Sequence, residues 1–146
     1  MLANDIDFRA NPETGSQVNL RTLVEKSKNY MIVCADFRAA QAAKKVLQKG
    51  GNAVDAAIAA QNVLSVVEPQ SSGIGGGGFL IYYNKKLNLL EAWDGREFAP
   101  SNATPDQFLN TKNKKTPFLK AVTSDISVGV PGLYSMLADV HLAHGE

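Results

Sequence analysis

A glycine-rich run that follows an apolar segment and precedes a β-type segment constrains this chain more than any other feature. The run is Gly73-Ile74-Gly75-Gly76-Gly77-Gly78, and it contains the spacing G-x-G-x-x-G. A dinucleotide-binding loop has a strand before the glycines and a helix after them. Here that order is reversed, and Phe79 stands where a phosphate-binding loop would need lysine. The run therefore predicts bare backbone for close packing, with an anion-binding nest as the alternative.

Two helices are predicted before the glycine run. Residues Arg38–Lys49 combine good helix formers with an amphipathic period, and Gly50 follows as a left-handed stop. Asn52 is then the expected N-cap of a second helix, Ala53–Val67, which ends before Pro69. Because this second helix is apolar on nearly all sides, it is predicted to be buried.

Shorter patterns cover the rest of the chain. Residues 1–30 form a polar lead-in with a helical turn near Leu20–Lys26, and residues 31–146 form the folded part. The predicted elements there include a buried strand at Met31–Ala35, a hairpin of Phe79–Tyr83 and Leu87–Trp93, and helices at Thr104–Leu109 and Leu133–Ala143.

Composition narrows the class of protein. The 146 residues are 45% hydrophobic and carry a net charge of +1, which allows a folded core and gives no basic footprint for nucleic acid. Cys34 is the single cysteine, so an internal disulfide and a cysteine-based metal site are excluded. No apolar run reaches the length of a membrane span, and no signal peptide is visible. Composition leaves the compartment open.

Four segments, in order along the chain, carry a resemblance to a known family. Lys49–Ala60 and Val67–Phe79 are similar to the hallmark N-terminal segment of γ-glutamyltransferases. Asp94–Pro100 matches the family's D-x-R-E-x-A-P pattern, and Gly129–Gly132 matches its V-P-G turn before a helix. The chain thus resembles the N-terminal part of a γ-glutamyltransferase (γ-glutamyl transpeptidase) large subunit.

The resemblance implies a fold and an activity. The implied fold is an α/β (α+β) one: a partial N-terminal-nucleophile hydrolase αββα sandwich, incomplete in this chain. The family's precursor cleaves itself into large and small subunits, and the new N-terminal threonine attacks the γ-glutamyl amide of donors such as glutathione. Water, an amino acid or a peptide accepts the γ-glutamyl group. No cofactor and no metal are expected, and the resemblance implies a periplasmic or extracellular location.

Arg96 is the one substrate contact that the resemblance carries over to this chain. It aligns with the arginine that holds the α-carboxylate of the γ-glutamyl group, and a planar guanidinium suits a carboxylate. The alternative is an ordinary surface arginine paired with Asp94. No catalytic residue is assigned here, because the nucleophile belongs to the small-subunit part, and the 146 residues alone are expected to have no turnover.

Other hypotheses stay open beside this one. The chain could be a non-catalytic scaffold or binding domain, or part of a related N-terminal-nucleophile acylase with a different acyl donor. His141 and His144 lie three residues apart near a predicted helix end, where stabilisation of the helix is favoured over metal binding. Isolated, the chain is expected to expose apolar surface and to associate.

Overall fold

A computed structural model describes residues 26–146, which cluster into two compact units divided between Gly73 and Ile74. The helical turn predicted near Leu20–Lys26 and most of the polar lead-in lie outside the described residues. The first unit contains α1 (Phe37–Gln48) and α2 (Ala53–Val67). The second contains β1 (Gly78–Asn84), β2 (Leu89–Gly95), α3 (Phe118–Val122), a 3₁₀ turn at Asp125–Ser127, and α4 (Leu133–His144).

Helix α1 confirms the first predicted helix, shifted by one residue at each end. Asp36 is its N-cap: the carboxylate Oδ1 accepts a hydrogen bond from the Arg38 backbone N–H at 2.8 Å and pairs with the Arg38 guanidinium. These hydrogen bonds from Arg38 lower the pKa of the Asp36 carboxyl group. Beyond the C-cap Lys49, Gly50 has φ +100°, which is the left-handed stop that the sequence predicts.

Helix α2 matches its prediction at both ends. A reciprocal capping box begins it, because Asn52 accepts from the backbone N–H of Val54 and Asp55 while the Asp55 carboxylate accepts from the Asn52 N–H. The two helices bury small side chains against each other: Ala39, Ala43, Ala56 and Ala60 form the core cluster. Burial of α2 is partial: Ala53 and Ala57 are exposed and Val66 is 78% exposed, so the helix presents the apolar surface that is expected of the chain in isolation.

The strand predicted at Met31–Ala35 is also wrong. The segment belongs to no strand, and its side chains alternate: Ile32 and Cys34 pack on the alanine cluster, while Val33 is 88% exposed. Its apolar pattern is therefore used on one side only. Partial burial raises the pKa of the Cys34 thiol. Together with α1 and α2 the segment lines an apolar hollow of about 550 Å³.

The second unit is organised by an antiparallel hairpin with two different faces. Strands β1 and β2 pair from Gly78↔Gly95 to Asn84↔Leu89, and burial alternates along both. The inner face contains Leu80 paired with Trp93, and the outer face contains six exposed side chains: Phe79, Ile81, Tyr83, Leu90, Ala92 and Asp94. The hairpin was predicted, but β2 begins two residues later than expected because the turn occupies residues 85–88, with Asn88 at φ 48°.

Helix α4 lies on the inner face of the hairpin and confirms the last predicted helix. Its buried side chains are Leu133, Met136, Leu137 and Val140. A Cβ added at Gly95 would lie 2.7 Å from the Met136 Cβ, so strand and helix approach closely at that point. The helix predicted at Thr104–Leu109 is wrong: the segment forms successive turns, and Leu109 bridges to Lys115. Helix α3 and the 3₁₀ turn were not predicted.

Candidate functional site

Arg96 follows immediately after Gly95, the last residue of β2. The Asp94 Oδ1 atom accepts a hydrogen bond from the Arg96 backbone N–H at 2.9 Å, which fixes the direction in which the chain leaves the strand. Two residues later, Phe98 and Val130 exchange backbone hydrogen bonds of 3.1 and 2.8 Å. The arginine is therefore held between a strand end and a bridge, on backbone that is fastened at both sides.

Within residues 26–146, the Arg96 side chain contacts Glu97 and Phe79 and remains 58% exposed. Its NH1 atom lies 3.3 Å from Glu97 Oε2, and its Cζ atom lies 5.9 Å from the centre of the Phe79 ring. The sequence alternative, a guanidinium paired with Asp94, is wrong in its detail: the Asp94 carboxylate binds the arginine's backbone, and Glu97 pairs with its side chain. The exposed part of the guanidinium can donate hydrogen bonds to an anionic ligand.

Glu97 connects the arginine to the glycine run. Its Oε2 atom is buried and makes no hydrogen bond within residues 26–146, so the contact with Arg96 is an ion pair without hydrogen-bond geometry. A Cβ added at Gly77 would lie 2.5 Å from this oxygen and 2.7 Å from the Gly95 carbonyl oxygen. Only a residue without a side chain fits there. This contact supports close packing for Gly77, one of the two roles considered for the run.

The start of α4 closes the same corner of the second unit. The backbone N–H groups of Gly132 and Leu133 both donate to the Gly76 carbonyl oxygen, at 3.3 and 3.2 Å. Gly132 is buried, and a Cβ on it would lie 2.5 Å from the Gly95 carbonyl oxygen. The glycine run, the strand end and the helix start thus meet backbone against backbone beside Arg96. The run follows α2 and precedes β1, which confirms the reversed order that argues against a dinucleotide loop.

A second polar cluster lies at the other end of α4. His144 Nε2 contacts Glu91 Oε2 at 2.5 Å, and the imidazole stacks on the Tyr82 ring with a centroid distance of 4.2 Å. This places His144 against the hairpin, where it fastens the last turn of the helix. The part of the chain that the structure describes contains no group of three or more potential ligands for a metal ion.

Sequence reasoning identified Arg96 but missed its two side-chain neighbours. Glu97 is adjacent in sequence, so its identity was visible, but its burial against Gly77 depends on packing. Phe79 reaches Arg96 through the strand register, which pairs it with Asp94. Arg96 lines neither of the two hollows described in the first unit. The guanidinium lies on an open surface.

Comparison with known proteins identifies the family to which the chain is similar. The profile of the gamma-glutamyltranspeptidase family matches residues 39–146. A glutathione hydrolase proenzyme of Bacillus subtilis subsp. natto is 48% identical over 109 residues, which are 75% of this chain and 19% of that protein. The Helicobacter pylori gamma-glutamyltranspeptidase structure superposes with a TM-score of 0.78 at 32% identity, over 85% of this chain and 35% of that one. A cephalosporin acylase from Bacillus halodurans gives 0.58 at 32% identity, over 75% and 19%.

The mixed helix–hairpin fold and these superpositions define a class: the chain is a portion of an N-terminal-nucleophile hydrolase fold. The particular family follows from the profile match, and the chain belongs to the gamma-glutamyltranspeptidase family. It spans about a fifth of the length of the curated relatives it matches. Among residues 26–146, no helix is long and apolar enough to cross a membrane.

Proposed function

We propose that this chain contributes one wall of the donor site of a γ-glutamyltransferase, with Arg96 as the residue that binds the α-carboxylate of the γ-glutamyl group. The observation that carries the proposal is the exposed guanidinium on backbone fastened at both sides. A carboxylate binds most tightly to an arginine whose position is fixed before binding, because the arginine then loses less conformational entropy when the ligand binds.

The pairing with Glu97 is compatible with this role. Glu97 contacts the NH1 atom, so Nε and NH2 remain available for two parallel hydrogen bonds to a carboxylate. The buried Glu97 oxygen also favours a positive charge beside it, which keeps the guanidinium near the glycine run. The anionic end of a γ-glutamyl donor would then lie at the corner formed by β2, the glycine run and the start of α4.

The maturation and the reaction of the whole protein are proposed by analogy with the family. A precursor would cleave itself, and a threonine at the new N-terminus would attack the γ-glutamyl amide of glutathione or a related donor, with its own α-amine as base. Water, an amino acid or a peptide would accept the acyl group. The small-subunit part of the precursor is the proposed partner, and the periplasm or the extracellular space the proposed location. This chain by itself would bind without turnover.

A hybrid enzyme tests the proposal. This chain replaces the matching segment of the Bacillus subtilis subsp. natto proenzyme, and Arg96→Gln is compared with the unsubstituted hybrid. One lost charge-assisted hydrogen-bond set is worth about 1.5–3 kcal/mol, so KM for a γ-glutamyl donor should rise about tenfold to a hundredfold. Cleavage of the precursor, followed on denaturing gels, should be unchanged.

The matched control is Arg38→Gln. Arg38 is an arginine of similar exposure that pairs with the carboxylate of Asp36 in the first unit. Its replacement should leave KM unchanged. An Arg96→Gln hybrid that matures and keeps its KM would remove Arg96 from the donor site.

The similarity to a cephalosporin acylase keeps a second candidate function, acyl transfer from a different donor. The two are separated by offering the hybrid a γ-glutamyl amide and a cephalosporin amide at equal concentration. Preference for the γ-glutamyl amide, lost in Arg96→Gln, supports the transferase. A preference for the other amide that is insensitive to Arg96 supports the acylase.

A further inference from the structure

Phe79 is the aromatic side chain of the outer hairpin face that lies beside Arg96. It is the first large side chain of β1, lies on the outer face of the hairpin and is 70% exposed. Its ring centre is 5.9 Å from the Arg96 Cζ atom, which is within the range of a cation–π contact. The exposed ring therefore contacts the proposed ligand-binding cation directly.

The strand register brings Phe79 close to Arg96. Phe79 is the cross-strand partner of Asp94, and Asp94 accepts the hydrogen bond from the Arg96 backbone N–H. Both members of this residue pair therefore contact the arginine. Asp94 accepts a hydrogen bond from its backbone, and Phe79 lies against its guanidinium. The next pair on the same face is Ile81 with Ala92, and it offers no comparable contact.

We infer that Phe79 is a positioning residue for Arg96. This inference rests on the function proposed above. The ring supports one side of the guanidinium while Glu97 holds NH1, so the arginine keeps one orientation before a ligand carboxylate arrives. A cation–π contact at an exposed site contributes modestly, and the effect of its loss on donor affinity is expected to be about twofold to fivefold.

The contact can be measured on the 146-residue chain without any activity. An aromatic ring shifts the NMR resonances of protons near its face, so the side-chain δ protons of Arg96 should move toward random-coil values in Phe79→Leu. Ile81→Leu is the matched control, because Ile81 lies two residues along the same face and is 75% exposed. Identical Arg96 resonances in wild type and Phe79→Leu would overturn the inference.

Kinetics in the hybrid enzyme test the consequence. Phe79→Leu should raise KM for the γ-glutamyl donor twofold to fivefold with kcat unchanged, Phe79→Tyr should restore KM, and Ile81→Leu should change neither. In the Arg96→Gln background, Phe79→Leu should have no further effect on KM.

The outcomes separate this inference from the proposed function. If Arg96→Gln raises KM and Phe79→Leu behaves like Ile81→Leu, the positioning role fails while the donor site stands. If Arg96→Gln leaves KM unchanged, the proposed function fails, and the role of Phe79 in substrate binding fails with it. An equal KM effect of Phe79→Leu with and without Arg96 would also overturn the positioning role.

Discussion

The two units of this chain achieve close packing by different means. In the first unit, α1 and α2 approach through alanines, which keep high helix propensity while leaving little side-chain volume between the helices. In the second unit, backbone meets backbone at Gly77, Gly95 and Gly132, where strand ends, loop and helix start converge. Alanine suits an interface between regular elements, whereas glycine is needed where irregular backbone must touch. Arg96 stands at the glycine-packed corner.

The largest expected effect tests whether the glycine contacts are needed. Gly132→Ala should lower the free energy of unfolding by about 3 kcal/mol or more, because its Cβ would lie 2.5 Å from the Gly95 carbonyl oxygen and backbone cannot easily yield. The measurement is urea denaturation followed by circular dichroism. Gly75→Ala is the control, since a Cβ there has nothing within 4 Å. Equal stability of the two variants would contradict the distinction between required and replaceable glycines.

An intermediate effect is expected at the alanine interface of the first unit. Ala39→Leu should lower the free energy of unfolding by about 1–3 kcal/mol, because Ala39 is fully buried and extra volume must be forced between α1 and α2. Ala57→Leu adds the same atoms to α2 at an exposed position and should be close to neutral. Equal stability of the two variants would show that the interface between α1 and α2 is loosely packed. It would contradict the claim that the alanines of the first unit provide close packing.

The smallest expected effect is a change in the free energy of unfolding at acidic pH. Arg38 lowers the pKa of the Asp36 carboxyl group in the folded chain, so the stabilisation from the charged cap is present above the ordinary aspartate pKa. This stabilisation is lost as the pH falls from the ordinary aspartate pKa through the lowered pKa of Asp36 in the folded chain. Asp36→Asn retains an N-cap side chain and removes the titration. The difference in unfolding free energy between wild type and variant should therefore shrink from pH 7 to pH 3; a constant difference would contradict the assignment.

Local signals in the sequence predicted much of the fold. Helix α2 was predicted residue for residue, because Asn52 and Asp55 form its capping box and Pro69 follows its end. The failures arise where tertiary structure decides. Met31–Ala35 has a strand-like apolar pattern but uses only one side for packing, and Thr104–Leu109 has a good helix start yet remains a set of turns. The start of β2 depended on the conformation of Asn88.

The candidate site was predictable only in part for the same reason. Arg96 was found through a sequence pattern, which identifies a residue without its surroundings. Its contact with Phe79 requires the hairpin register, and the burial of the Glu97 oxygen requires the approach of Gly77. These are contacts between residues distant in sequence, and neither periodicity nor propensity reports them.

Trp93 gives the second unit a natural optical reporter. It is the only tryptophan among the 146 residues, and its ring meets the imidazole of His144 edge-on at 6.1 Å, between strand β2 and the last turn of α4. Emission from this one indole therefore follows the separation of helix and hairpin, with no label attached. Separation of the last turn of α4 from strand β2 should therefore change the fluorescence of Trp93.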